Sequence, residues 1–175
     1  VLPASAATNE NKLIDTSKKV SLTLNCNKAG YTFSVYKVAT LGSNASATKY
    51  TSTNAAYGID EALNKGNNAA LLTKLDAVSL SALTPNAVDT FVSSAATTSK
   101  KLTGLAQGVY YVRVTKYPAG TTQVRNSVIA LPYYNEATAS WIYGGSINLA
   151  TKVKDETPSI TKKIENSTKQ NVNYS

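Results

Sequence analysis

Few residues in this chain are placed to do chemistry, and the most unusual placement belongs to a lysine. Residues 141–154 read WIYGGSINLATKVK, and from Ile147 apolar and polar residues alternate. A strand has a side-chain period of two. Ile147, Leu149, Thr151 and Val153 are therefore expected to face a core, with Asn148, Ala150, Lys152 and Lys154 facing outward. Asp155, Glu156, Thr157 and Pro158 follow and read as a linker. Lys152 is thus expected to be exposed at the end of the last strand, beside a domain boundary and within reach of a large enzyme. Its chemistry would be that of an amine nucleophile. An exposed strand lysine also serves simply to solvate a strand or to block edge-to-edge pairing, so the context must carry the reading.

The rest of the composition excludes more than it suggests. The 175 residues include no His, no Met and a single cysteine, Cys26. One cysteine forms no intramolecular disulfide. Without histidine, a thiol lacks its usual activating partner and a zinc site lacks ligands. Cys26 is read as a small structural residue at a strand end. No paired-carboxylate or phosphate-loop pattern occurs, so an enzyme is not expected, nor a cofactor or metal. The net charge is +8, but no basic run is longer than the pairs Lys18-Lys19, Lys100-Lys101 and Lys162-Lys163. Scattered charge argues for solubility and attraction to an anionic cell wall rather than nucleic-acid binding. No apolar run reaches membrane-spanning length. Residues 1–7, VLPASAA, read as the tail of a secretory signal peptide, with small residues at Ala4 and Ala6 or at Ser5 and Ala7.

The elements that must position the lysine are mostly strands. Residues 1–17 are expected to be signal remnant and polar lead-in, residues 18–154 one domain, and residues 155–175 a linker and the truncated start of a second. Val20, Leu22 and Leu24 alternate with polar residues, Asn27 to Gly30 make a turn, and residues 31–38 are aromatic and β-branched; together they read as a hairpin. Residues 42–53 form a small-residue loop containing the sequon Asn44-Ala45-Ser46; Asn166-Ser167-Thr168 is another. Both matter only on a eukaryotic secretory route. Three short helices follow. Ile59, Ala62 and Leu63 precede Gly66; Leu71, Leu72, Leu75 and Val78 form the second set. Thr84 caps the third, with Pro85 at its first position, and Val88, Phe91, Val92 and Ala95 share one face. Strands return at residues 109–115, with Tyr110, Val112 and Val114 on one face and Tyr111 and Arg113 on the other, and at residues 124–131. Residues 133–140 read as a loop, and residues 141–153 close the domain. The expected fold is mainly β, an Ig-like sandwich with a helical insertion between early and late strands.

Several segments resemble one family. Gly104-Leu105-Ala106-Gln107-Gly108-Val109-Tyr110-Tyr111-Val112 resembles the "GLxxGxYxV" stretch of CnaB-type domains in Gram-positive surface proteins. Residues 30–38, GYTFSVYKV, resemble their early "GxxFxxYKV" strand. Residues 127–132, then Trp141, then residues 147–152 resemble the first domain of sortase-assembled backbone pilins, and residues 155–164 the linker and second-domain opening that follow there. Two departures stand at the pilin motif: Ala150-Thr151 replaces the usual Tyr-Pro, and the spacing from Trp141 is longer through Gly144-Gly145. The resemblance implies a structural subunit secreted to the cell surface. There Lys152, with Lys154 as fallback, would accept an acyl group from a class C sortase and form an inter-subunit isopeptide bond with another copy of the protein. Ancillary pilins and host surface ligands would be further partners.

The same family often carries an internal Lys–Asn or Lys–Asp isopeptide, assisted by a Glu in "YxVxETxAPxG". Val114 stands at that Glu position here, so no internal bond is expected between candidates such as Lys19 and Asn148. Lys162 or Lys163 would be the bond-forming lysine of the second domain. The alternative function is an ancillary or tip pilin, or a wall adhesin binding host glycan or matrix protein. Tyr133, Tyr134 and Trp141 could supply an aromatic platform, although such residues more often pack a core or its rim.

Overall fold

The computed structural model describes residues 13–42 and 49–155. Its layers follow from which strand faces are apolar. In β1 (Val20–Asn25) every second residue is buried, as a strand with one core face requires. β2 (Thr32–Leu41) is buried on both faces along much of its length. β3 (Tyr50–Ser52) is followed by a 3₁₀ turn (Ala55–Tyr57) and the helices α1 (Asp60–Lys65), α2 (Asn68–Asp76) and α3 (Leu80–Leu83). Then come β4 (Ala87–Val92), β5 (Ser99–Leu105), β6 (Gly108–Lys116), β7 (Thr121–Val124) and β8 (Ser127–Leu131). β9 (Tyr133–Asn135), β10 (Ser140–Ile142), β11 (Gly144–Asn148) and β12 (Val153–Asp155) complete the described chain.

One sheet has the order β11-β1-β5. The other is built on β2, which pairs with β6 along one edge and with β3 and β4 along the opposite edge; β6 in turn pairs with β8. Between the sheets lies a core of Leu22, Leu24, Phe33, Val35, Tyr110, Val112 and Ile129. On the far face of the larger sheet, Tyr36, Val38, Tyr111 and Ala130 pack against Ile59, Leu71, Leu75 and Leu83 of the helical segment. The order is therefore small sheet, large sheet, helices. β8 is buried at all five positions because it lies between two cores, which is why SVIAL lacks polar alternation.

Four local expectations are corrected. β1 and β2 are not a hairpin: β1 pairs in parallel with β11 and antiparallel with β5, so both its edges are occupied, and β2 lies across the core in the other sheet. The helix expected from Thr84 onward is absent: only the 3₁₀ turn Thr84–Asn86 forms there, and Val88, Phe91 and Val92 belong to β4. Phe91 pairs with Phe33 and stacks on it at 5.8 Å between ring centroids. Burying that ring contributes roughly 1.5–3 kcal/mol, more than the local propensities at stake, while Val88 and Val92 remain exposed. Residues 133–140 are not a loop: with Trp141 and Ile142 they form the β9–β10 hairpin. Residues 13–17 are not a loose lead-in, since Ile14 is buried and the Asp15 amide donates to the Tyr143 hydroxyl at 2.8 Å.

Candidate functional site

The expected closing strand breaks at Asn148, and the break positions Lys152. The Asn148 carboxamide oxygen accepts from the Ala150 amide at 3.3 Å, and the Thr151 hydroxyl donates to the Asn148 carbonyl at 2.8 Å. Side chains of this kind offer the backbone an alternative to the sheet ladder. The result is a 3₁₀ turn, Leu149–Lys152, with Leu149 buried as its anchor. Arg125, between β7 and β8, clamps the turn. Its amide donates to the Lys152 carbonyl at 2.7 Å and its guanidinium to the Thr151 carbonyl at 3.0 Å. The chain then enters β12, where Val153 is buried and its carbonyl accepts from Lys28 Nζ at 3.0 Å.

Lys152 is therefore not an exposed residue on a continuous strand, as expected, but a half-buried one on a clamped turn. Its Nζ has no hydrogen-bond or ion-pair partner among the described residues. Lys154, the fallback, is the exposed one, on β12 opposite Gln123. Lys162 and Lys163 lie outside the described residues, as do both sequons and residues 1–12.

Lys152 stands at one end of a groove of about 350 Å³ between the helical layer and the open side of the sandwich. Asn68 and Leu72 of α2 form one wall, and Ser127, Ile129 and Ile147 line the floor. The Ser127 hydroxyl and the Asn68 carboxamide oxygen are buried there without a partner among the described residues. The α2 wall is tied to the sheet by a polar network. Tyr111 donates to Asp76 at 2.6 Å, Asn126 donates to Asp76 at 2.8 Å and to the Tyr111 hydroxyl at 3.1 Å, and Arg113 donates to the same hydroxyl at 2.9 Å. Burial, and secondarily the bond to Asp76, push the Tyr111 phenol well above its ordinary range. Arg113 also donates to the Leu75 and Val78 carbonyls, at 2.7 and 2.8 Å, closing the end of α2.

Sequence reasoning misses Arg125 and Asn126 because residues 124–131 read as one strand, and Asp76 because its helix is read only for its apolar residues. The polar stretch Arg125-Asn126-Ser127, between Val124 and the apolar run from Val128, is the available signal of a break. Of the isopeptide candidates, Asn148 pairs with Asn25 at one end of β1, and Lys19 precedes the other end. Six strand positions separate them, about 20 Å, so the two residues stand apart in this arrangement. Val114 is a buried core residue paired with Phe33. Cys26 is buried, its thiol donating to the Lys28 carbonyl at 3.2 Å. Trp141 is buried and meets Tyr134 edge-on at 5.3 Å, so these aromatics present no flat platform. Among the described residues there is no cluster of metal-ligating side chains, and no helix is long and apolar enough to cross a membrane.

No family model matches the chain, and no curated protein does. Solved structures do. The chain is similar to the T6 backbone pilin of serotype M6 Streptococcus pyogenes, described as a modular three-domain structure, with 19% identity over 85% of this chain and 31% of that one, at a TM-score of 0.51. It is also similar to the full-length major pilin SpaD of Corynebacterium diphtheriae, with 20% identity over 78% of this chain and 30% of that one, at a TM-score of 0.45. The chain spans about a third of the length of these structures. The likeness to the T6 pilin establishes a pilin-like β-sandwich fold with short added helices.

Proposed function

We propose that this chain is the first domain, residues 18–154, of a shaft subunit in a covalently polymerised Gram-positive pilus, and that Lys152 is its acyl acceptor. The observation that carries the reading is the clamped turn. Its backbone is held from Arg125 and from Asn148, while its amine is left without a partner among the described residues at the end of a groove. A lysine that only dressed the surface would need no such support.

In this reading a class C sortase presents another subunit as a thioester. Only the neutral amine attacks, so the ammonium loses a proton within that complex. The amine nitrogen bonds to the thioester carbonyl carbon, the carbon–sulfur bond breaks, and the sulfur leaves to be protonated. The product is an amide between subunits and the protein itself is a structural substrate. Residues 155–175 begin a second domain in which Lys162 or Lys163 forms an internal bond. Secretion, wall attachment and contacts with ancillary pilins belong to the same proposal.

The test uses the full-length parent in its own cell. Wall extracts are boiled in SDS and blotted for Lys152→Ala, Lys154→Ala and wild type. Collapse of the high-mass ladder in Lys152→Ala alone is expected. A ladder that survives Lys152→Ala refutes Lys152 as acceptor, and a wild type without a ladder refutes the shaft assignment.

A further inference from the structure

Lys37 occupies a position that a lysine rarely takes. On β2 the residues Phe33, Val35 and Lys37 alternate along one row, and the first two sit in the core between the sheets. Lys37 continues that inward row where the core gives out, and it is half-buried. Inward-pointing charges can protect an edge strand, but β2 is central, paired on both sides. The stem is accommodated by Gly108, where a Cβ would stand 2.9 Å from the Lys37 side chain.

The surroundings raise the cost of that charge. Lys37 lines a cleft of about 380 Å³ with Thr16, Ser17, Lys18, Lys19 and Thr40. The rim is fixed by Gln107, whose carboxamide donates to the Asp15 and Lys18 carbonyls at 2.8 and 3.0 Å. Among the described residues no carboxylate lines the cleft. Lys18 lies 4.6 Å from the centre of the Tyr143 ring, whereas Lys19 and Lys37 have no ion-pair partner among the described residues. Desolvation, and then the nearby Lys19, hold the Lys37 ammonium below the usual lysine range. The Asp15 carboxylate at the rim accepts from Ser17 and acts on Lys18; buried charges are normally paired, and among the described residues no carboxylate pairs with Lys37 or Lys19.

We propose that this cleft binds the phosphate groups of a polyanion. Its cations are compact ammonium groups joined by the hydroxyls of Thr16 and Thr40, which suit a tetrahedral oxyanion approached from several sides. The described lining holds no guanidinium, so its ammonium groups act on an anion as compact point charges rather than as a bidentate fork. No aromatic ring among the described residues lines the cleft to stack a base, which sets the ligand apart from single-stranded nucleic acid. The site is independent of Lys152, because it lies at the opposite end of β1 from Asn148 and the turn that follows.

Calorimetric titration of the whole chain with sodium tripolyphosphate tests the assignment, with poly(glycerol phosphate) in a second arm and citrate in a third. Saturable binding that weakens with salt is expected, and Lys37→Met should lower affinity about tenfold, as loss of a charge-assisted contact does. Lys101→Met, on the exposed face of β5, keeps the overall charge change and should leave affinity nearly unaltered. Tight binding of poly(glycerol phosphate) would identify a polyol-phosphate polymer as the source, and binding of tripolyphosphate alone a free phosphate. Equal losses in the two variants, citrate binding as tightly as tripolyphosphate, or no binding at all would overturn the proposal. Thermal melts of Lys37→Met separate lost binding from lost folding.

Discussion

The two open sides of the sandwich each carry a lysine, and the two lysines are used in opposite ways. On one side β4 and β5, edge strands of different sheets, are bridged by Lys100. Its ammonium donates to the Asp89 carboxylate at 2.9 Å and to the Thr90 carbonyl at 2.8 Å. Exposed edges invite pairing with other chains, and this one is blunted by a partnered charge. On the other side β8 and β11 leave a groove, the turn beside it is clamped through its backbone, and the Lys152 amine stays unengaged among the described residues. A lysine already donating to a carboxylate and a carbonyl would have to break both before it could attack an acyl group. One side is built for closure, and the other holds an amine in place without satisfying it.

If the groove side is a constructed site, its supports should be expensive to remove. Tyr111→Phe deletes the hydroxyl shared by Asp76, Arg113 and Asn126, and should cost about 1.5–3 kcal/mol in denaturant unfolding, because its hydrogen bonds to the charged Asp76 and Arg113 are lost. Hydrogen exchange should quicken across α2 while β4 and β5 keep their protection. Arg125→Ala should cost about 1–2 kcal/mol and speed exchange in residues 149–155. If β4 and β5 loosen equally in that variant, the clamp is not local and the contrast between the sides fails.

The closed side should respond less. Both partners of the Lys100–Asp89 pair are 40% exposed, so Asp89→Asn should cost only about 0.5–1 kcal/mol. Lys100, and then the Thr90 amide, hold the Asp89 carboxyl below its ordinary value. The stability it supplies is therefore present above the unfolded value of about 3.9 and is lost as pH falls through the lower folded one. In the Asp89→Asn variant the acid limb of the melting curve should flatten at that end. Ser127→Ala tests the smallest effect and the opposite sign. Its hydroxyl is buried without a partner among the described residues, so removal should be neutral or stabilise by up to about 1 kcal/mol. A clear loss of stability would mean that the hydroxyl is satisfied in solution.

How much of this was legible in the sequence differs by element. Alternation placed β1 and the two faces of β6 correctly, because each face of those strands meets one layer. Gly66 marked the end of α1, where its positive φ of 66° serves the C-cap. The β4 segment misled because Val88, Phe91 and Val92 satisfy a helical spacing, and only Phe33 across the sheet decides for a strand. The closing strand misled for a related reason. Alternation from Ile147 to Val153 does bury Leu149 and Val153, but a 3₁₀ turn capped by Asn148 reaches the same burial by another route.

The amino-acid sequence by itself determined the mainly β character, the want of histidine and paired-thiol chemistry, and the presence of a lysine near the end of the described strands. Those properties depend on local periodicity and on which functional groups exist at all. Only the tertiary structure decided that Lys100 is engaged, that Lys152 is not, and that Lys37 faces inward beside Lys19. Periodicity reports the face on which a side chain lies, not the carbonyls or charges that distant strands bring to it. Those neighbours come from pairings such as β1 with β11 and β2 with β6, between segments far apart along the chain.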